Sequence, residues 1–541
     1  MYFWKRLRLV FGIAFFWFFL LAPLNATAQV FYVSPNGSGN VCSPSTPCSF
    51  QTALNLSSSN GQEDTIYLMA GTYVTGSNPF TYSDDNHSEN FPLSIEAQPG
   101  LSNEQVVLDG KFSTQVLHVL NSWYDHDAAD FTLKSITIRN GRTSSQGGGL
   151  YVWVNGDIKI TDCIFDGNTG ASGGGIYLVT SNHRAYVFSC DFRNNTASDG
   201  EGGGILASAL GPAGELFVQE NLFTDNTSKS NGGGASLTAD GTLFVERNHF
   251  TNNKSTSQSG GALFVAPQTT CKTFLLNANT FFHNSSHYYG AGTYCMENAL
   301  QNCKVIICNN IWAENTGING ANIGGGGLYY SATQSAQTHI INNTFANNYG
   351  TWGEELYLAI MNSDTSVTVS NNIFWKNGEY YSIYIWSPDN NGKSGSAYGY
   401  YNDYAHVIRQ YDSTIFRYDT AAWDGSDGNL YVNPAFVDAS NKNYRLSDTS
   451  PCIDSGTISE STVSMIMEPL RDADGKKRVI QCVVDMGAYE HGDYWHIGDY
   501  NDDGDIDGED LATFAKSIYV TTLTDKFAVE YGHHYPPSCP H

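Results

Sequence analysis

Two sets of residues in this chain have the types and spacing needed for chemistry. The first lies in GDYNDDGDIDGEDLATFAKS, Gly498 to Ser517. Asp499, Asn501 and Asp503 fall at positions 1, 3 and 5 of a calcium loop, Gly504 at 6, Asp505 at 7, Asp507 at 9 and Asp510 at 12. Oxygens at the odd positions converge on one hard cation, glycine supplies the sharp turn, and Asp505 offers its carbonyl. LATFAKSI then reads as the exit helix. The second set is Asp162, Asp191, Arg193, Glu220 and Arg247. They recur on neighbouring units of a repeat and face outward or sit at bends. Carboxylates gathered beside a basic residue can hold a cation and abstract a proton. An ordinary charged outer face is the blander account of the same five residues.

Other candidates carry less. Gly170 to Gly174 matches G-x-S-x-G, but it is the turn of the repeat and not a nucleophile elbow. H-E-x-x-H does not occur. Asp125, His126 and Asp127 could ligate a metal, yet the run Trp123 to Asp130 reads first as an exposed polar loop.

The elements that position these residues come from an internal repeat. Its aromatic column is Phe165, Phe192, Phe223, Phe250, Phe281, Trp312, Phe345 and Phe374. Three residues after each stands an asparagine: Asn168, Asn195, Asn226, Asn253, Asn284, Asn315, Asn348 and Asn377. Between copies comes a glycine-rich step before an apolar pair, as in GGGLY at Gly147 and GGGIY at Gly173. The period between aromatics is 27 to 33 residues. Units this short cannot close a core alone, so they must stack, with like residues ~4.8 Å apart. Two places before each aromatic is a further column: Cys163, Cys190, Asn221, Asn248, Asn279, Asn310, Asn343 and Asn372. Its strand parity turns it inward with the aromatics, so the asparagines form an amide ladder. The fold class is all-β: a single-stranded right-handed parallel β-helix, a pectate-lyase-like solenoid, with a small helical calcium-loop module at the C-terminus. Irregular upstream coils begin at Phe31 and include a capping helix near Gln51 to Leu56. Together they make roughly eleven or twelve coils, a rod on the order of 55 Å long.

The alternating F-x-x-N and GG-apolar signature resembles the repeats of chlamydial polymorphic outer membrane proteins and of many bacterial β-helix proteins. That resemblance covers about Gly147 to Asn377 and implies an adhesin-like display surface. No series of alternating barrel strands follows Asn377, unlike in those proteins. The segments NPAFVDASNKNYRLSDTSPCIDSGT and RDADGKKRVIQCVVDMGAYE resemble the closing part of choice-of-anchor β-helix proteins. They are expected to cap the last coil and hide its strand edges. Asp472-x-Asp474-Gly475 within them could hold a cation, but a tight turn is the preferred reading. Tyr398 to Gly428 reads as loops and irregular strands. Asp510 and the Leu-Ala after it resemble dockerin modules, which carry two such loops. FAVEYGHHYPPSC has no second loop, which argues against a cohesin-like partner and for calcium that folds or fastens the tail.

Composition sets the compartment. The chain has 541 residues and a formal charge of −26 with only 27 Lys and Arg, which argues against nucleic acid. Lys5, Arg6 and Arg8 precede the apolar run Leu9 to Ala22, and Ala26-Thr27-Ala28 fits a cleavage site, so residues 1–28 read as a signal peptide. The remaining divisions expected are 29–435 for the β-helix, 436–490 for the capping segment and 491–541 for the calcium module. Eleven cysteines in an exported chain make disulfides plausible. Cys42–Cys48 and Cys452–Cys482 are the expected pairs. Cys163 and Cys190 are a disulfide or two stacked thiols. Cys271, Cys295 and Cys303 fall in turns with their pairing open, and Cys308 is buried. Tyr288, Tyr289, Tyr349, Trp352, Tyr380 and Trp386 fall at outward or turn positions, as sugar platforms or as packing between loops.

The function expected is a secreted or cell-surface protein binding polysaccharide or cell-surface glycans along its rod. The rival is a calcium-dependent polysaccharide lyase or glycoside hydrolase, since pectate lyases resembling this scaffold use stacked aspartates for calcium and a basic residue as proton abstractor. A passive scaffold is the third reading. Acidic residues in an outer groove beside an arginine would favour the enzyme; a flat face rich in Tyr and Asn would favour binding.

Overall fold

The computed structural model describes residues 28–492, apart from 84–90, 122–128, 299–302, 319–323, 333–336, 362–364, 376–381, 387–395, 405–408, 413–414, 418–427, 458–470, 477 and 479–483. The expected signal peptide, except Ala28, and the expected calcium loop lie outside the described residues, as do Asp125, His126, Asp127, Asn377, Tyr380 and Cys482.

The chain winds as a parallel β-helix. One coil runs through strand Ile158–Thr161 in sheet I, Ile164–Asp166 in sheet II, Thr169–Gly170 in the short sheet III and Ile176–Ser181 in sheet IV. Among the described residues, sheets I and IV hold 13 strands each and sheet II holds 12. Neighbouring coils pair in register, with Phe165 opposite Phe192 and Phe192 opposite Phe223. Register is strict because a one-residue slip would turn every core side chain to solvent.

Three columns turn the chain. At the bend from sheet I to sheet II, Ser135, Asp162, Ser189, Glu220, Arg247, Ala278, Asn309, Asn342, Asn371 and Tyr401 all have φ between 51° and 57°. Left-handed backbone is unfavourable for most of these residue types. The residue after each bend offsets that cost. Asn221, Asn248, Asn279, Asn310, Asn343 and Asn372 each donate their amide to the next asparagine's Oδ1 at 2.9–3.0 Å. A second ladder, Asn168 to Asn348, does the same at the next bend. The third bend is the glycine step. Gly232 has φ 67°, and a Cβ there would lie 2.2 Å from the Ala235 carbonyl oxygen, so only glycine fits. Inside, the aromatic column stacks at 4.5–5.2 Å from Phe165 to Phe374. Trp312 joins it because its indole N–H finds Thr293 Oγ1 at 2.9 Å, the polar partner a buried indole requires.

Helix α1, Phe50–Ser57, closes the first end, N-capped by Ser49 and burying Phe50, Ala53 and Leu54. Cys42 and Cys48 are disulfide-bonded beside it, as expected. Cys271 and Cys303 form a second disulfide. Cys295 is not in a turn but in strand Thr293–Met296, as a buried thiol. Cys163 and Cys190 are buried thiols, and Cys308 is buried.

Three expectations are corrected. Tyr398 to Tyr404 is not irregular: Ser396–Tyr400 pairs in register with Ser366–Ser370, and Asp403–Tyr404 continues sheet II. Tyr404 takes the aromatic position opposite Phe374, and Asn402 and Asn429 carry the ladder onward. Cys452 is not paired with Cys482. It is a buried thiol whose Sγ donates to Asp403 Oδ2 at 3.5 Å, held against the rod. The described part of 436–490 does more than cover the last coil, where Cys452 meets Asp403 and Leu446 packs with Leu430; it also runs back along the flank of sheet II. The outward positions of that sheet explain why. They are polar at Asp191, Arg193, His249 and Thr251, then apolar at Ile311, Ala313, Ala346, Ile373 and Trp375. Tyr444, Leu446, Met486 and Ala488 bury that apolar stripe. The bend column provides the polar docking points: Asn309 Nδ2 reaches the Arg471 carbonyl (2.9 Å), Asn342 Nδ2 the Asp485 carbonyl (3.1 Å) and Asn371 Nδ2 the Thr457 carbonyl (2.8 Å).

One buried acid makes rod stability depend on pH. Burial pushes Glu297 up to about 7 from an ordinary 4.5, against a lowering hydrogen bond from Tyr330. The folded form therefore favours the protonated carboxyl. The stability this contributes is complete below about pH 4.5 and is lost as pH rises through about 7. Between pH 6 and 8 the guanidinium midpoint should fall, and Glu297→Gln should remove that part of the slope. An equal slope in the variant would contradict the assignment.

Candidate functional site

The flank segment stops short of the polar half of sheet II, and a groove of ≈ 830 Å³ opens where it ends. Its floor is built by two columns. The bend positions Ser189, Glu220, Arg247 and Ala278 form one edge, and Ile164, Asp191, Leu222, His249 and Thr280 form the row beside them. Successive coils thus deliver one side chain each, a strand spacing apart. The 3₁₀ turn Asn103–Gln105 contributes Asn103 and Glu104 on one side. Arg445, Asp474 and Tyr489 of the flank segment form the opposite wall.

The walls are pre-set. Arg445 Nε donates to Asp474 Oδ2 at 2.8 Å, with Nη2 on the other carboxylate oxygen, and its guanidinium lies 4.4 Å over the Tyr489 ring. A fork held on a carboxylate and an aromatic face keeps its orientation. Asp472 is what places Asp474. Its Oδ1 accepts the backbone N–H groups of Asp474 and Lys476 at 2.9 and 2.7 Å, so this acidic run is the tight turn expected.

The floor is electrostatically uneven. Burial raises the carboxyl of Asp191 above its usual range, opposed by Arg193, whose Nη1 lies 3.1 Å from Oδ2. Burial likewise raises Glu220, opposed by Arg247 and assisted by Glu246. Burial lowers the His249 imidazole, with Nδ1 2.7 Å from Thr280 Oγ1. Two carboxyls raised by burial thus share the floor with a guanidinium and an imidazole. Carboxylate acceptors beside guanidinium donors can hydrogen-bond hydroxyl-rich ligands, and a buried carboxyl is suited to proton transfer.

Of the five residues anticipated, the structure brings Asp191, Glu220 and Arg247 into the groove. Arg193 lies at its margin, bridging Asp191 and Asp166, the latter at 3.2 Å. Asp162 is turned away: it accepts from Ser135 Oγ (2.7 Å) and Asn103 Nδ2 (3.0 Å). Among the described residues no three His, Cys, Asp or Glu side chains converge to hold a metal. Asp499, Asn501, Asp503, Asp505, Asp507 and Asp510, expected from the sequence to ligate calcium, lie outside the described residues. His249 was missed although its strand position matches that of Asp191; reading the outward column as closely as the inward one would have found it. Arg445, Asp474 and Tyr489 had no such signal, because only the fold-back of the flank segment brings them into the groove.

Tyr151, Tyr177, Tyr329 and Tyr357 of sheet IV, none of them among the aromatics singled out from the sequence, are not open platforms. His118 stacks on Tyr151 at 4.5 Å, Tyr151 on Tyr177 at 5.3 Å and Tyr329 on Tyr357 at 4.7 Å. In-register stacking turns the ring faces toward neighbouring coils and leaves their edges outward. A sugar needs an open face.

Residues 121–255 match the family model described as a right handed beta helix region. The protein is thus an all-β, right-handed parallel β-solenoid. A crystal structure of pectate lyase Pel9A is similar at 15% sequence identity and a TM-score of 0.38, covering 87% of this chain and 98% of that one. A likeness at this level carries no inference about chemistry. No curated protein matches the chain. Among the described residues no helix is long and apolar enough to cross a membrane.

Proposed function

We propose that this is a secreted or cell-surface β-solenoid protein that binds carbohydrate in the groove between the polar half of sheet II and the flank segment. One observation carries the reading: Asp191, Glu220 and Arg247 from three consecutive coils face Arg445 and Tyr489 across a single depression. Hydroxyl-rich ligands are recognised by this mixture of fixed carboxyl, guanidinium and phenol groups. A glycan-binding screen with the whole protein tests it. The native chain should bind at least one oligosaccharide, and Glu220→Gln or Arg247→Ala should weaken that binding by about tenfold or more. Native protein that is folded and binds no glycan would defeat the proposal and leave the passive scaffold.

A second reading, a glycoside hydrolase or polysaccharide lyase acting in the same groove, is favoured by the raised carboxyls of Asp191 and Glu220. Product release, followed by ultraviolet absorbance and by reducing ends with and without calcium, decides between them. Turnover that vanishes in Glu220→Gln would make the groove catalytic. The tail loop is proposed to take calcium through Asp499, Asn501, Asp503, Asp505, Asp507 and Asp510. Calorimetric titration of the full chain should show calcium uptake that Asp499→Ala abolishes.

A further inference from the structure

The polar floor of the groove carries an apolar side chain open to solvent. Leu222 is 46% exposed. The other aliphatic residues of its outward column, Ile164, Ile311 and Ile373, are 7%, 0% and 1% exposed, the last two packed under the flank segment. A single leucine on an open surface is ordinary. This one lies in a groove, and its two neighbours are chemically specific.

In register, Leu222 stands between Asp191 on the preceding coil and His249 on the next. Each neighbour has one polar atom engaged and one not. Asp191 Oδ2 is held by Arg193 Nη1 at 3.1 Å, while Oδ1 has no partner among the described residues. His249 Nδ1 lies 2.7 Å from Thr280 Oγ1, while Nε2 has no partner among the described residues. Where Nδ1 accepts the threonine hydroxyl, Nε2 carries the hydrogen and donates. An acceptor, an apolar contact and a donor therefore follow one another coil by coil, the outer two ~10 Å apart at two strand spacings. A single amide bridges that distance inside any sheet, where its N–H and C=O reach the strands on either side. Charge narrows the choice of ligand further. Glu104, Asp191, Glu220 and Asp474 line the groove against Arg247 and Arg445, so a uronate or sulfate group meets net repulsion there.

We propose that the groove recognises an acetamido sugar: Asp191 accepts the amide N–H, His249 donates to the amide carbonyl and Leu222 takes the methyl group. The proposal rests on the carbohydrate reading of the groove and narrows it to polysaccharides of N-acetylated hexosamines. Leu222 determines the specificity, because a hydroxyl or an ammonium at the same sugar carbon gains nothing from an aliphatic surface.

The test is calorimetry of the full chain with hexasaccharides of chitin, chitosan and cellulose, which share one linkage and differ only in bearing acetamido, amino or hydroxyl groups. The chitin hexasaccharide should bind about tenfold tighter than either of the others. Leu222→Ser should remove that preference, and Leu222→Met, which keeps an apolar side chain of similar volume, should retain it. Leu222 is exposed, so the circular dichroism spectrum should be unchanged in both variants. A native chain that binds the chitin hexasaccharide no better than the cellulose one overturns the proposal. So does one that binds the chitosan hexasaccharide best, one that binds none of the three, or a preference that survives Leu222→Ser. Arg247→Ala separates this claim from the groove reading. If that variant keeps every glycan affinity of the native chain, the groove reading fails and takes the proposal with it. If some glycan depends on Arg247 but acetamido groups bring no preference, the groove stands and the acetamido proposal alone fails.

Discussion

Asn279→Ala should lower the stability of the rod by about 4 kcal/mol, read as a large drop in the guanidinium unfolding midpoint. Asn279 is fully buried. Its amide donates to Asn310 Oδ1 (2.9 Å) and the Val245 carbonyl (2.8 Å), and its Oδ1 accepts the backbone and side-chain N–H groups of Asn248, both at 2.9 Å. Alanine removes the partners of the Asn248 backbone N–H and of one Asn248 amide hydrogen, whose other partner, the Val218 carbonyl, remains, and it takes a donor from the Val245 carbonyl. Each unmet group costs about 1–3 kcal/mol, while the bend residue before it, Ala278, keeps its left-handed φ of 54°. Asn279→Asp is the informative control. It keeps the acceptor but donates only when protonated, and burial favours the protonated form. Its stability should therefore be greatest at low pH and fall as pH rises. A loss under about 1 kcal/mol in the alanine variant would mean that aromatic stacking, not the amide ladder, holds the bends.

Arg478→Met should release the flank segment from an otherwise intact rod. Arg478 is almost fully buried. It donates to Asn309 Oδ1 and the Ala488 carbonyl, both at 2.7 Å, to the Gly487 carbonyl at 2.9 Å, and to Glu490 at 3.4 Å. Removing one side of such a buried network costs about 3–5 kcal/mol. The expected signature is rapid proteolysis within 436–492 and new binding of a hydrophobic dye at Ile311, Ala346 and Ile373, with the far-ultraviolet spectrum of the solenoid retained. Groove binding should fall as well, since Arg445 and Tyr489 leave with the segment. Alkali should act in the same direction. Burial holds Glu490 up to about 9 against the pull of Arg478, so docking favours its protonated form and weakens as pH rises through about 9. Unchanged protease resistance in Arg478→Met would show that the apolar stripe alone holds the segment.

These two variants probe the parts of the molecule that differ most in how they could be known beforehand. The solenoid was legible because a repeat writes the same physical demand many times. An aromatic every 27 to 33 residues, an asparagine two places before it and another three after it have one economical solution: stacked coils with inward columns. The coil at Asn402 still obeys both columns, with Tyr404 opposite Phe374 and Asn402 accepting from Asn372. Half of the candidate site was legible for the same reason. Asp191, Glu220 and Arg247 belong to columns, and columns place side chains without reference to the rest of the chain.

What the columns could not show is everything that breaks the repeat. Proximity in sequence matches Cys452 to Cys482, but the neighbour of Cys452 is Asp403, 49 positions away. The described part of the segment resembling a cap reaches along the flank because the outward face of sheet II turns mostly apolar from Ile311 on, a feature with meaning only once a partner surface exists. The groove is the boundary between the covered and uncovered parts of that sheet, so its depth, and the meeting of Arg445 and Tyr489 with Glu220, follow from where the chain folds back. Local repetition determined the rod, its ladders and half of the charges. Long-range docking, driven by an apolar stripe and anchored by Asn309, Asn342 and Asn371, decided which of those charges face a ligand.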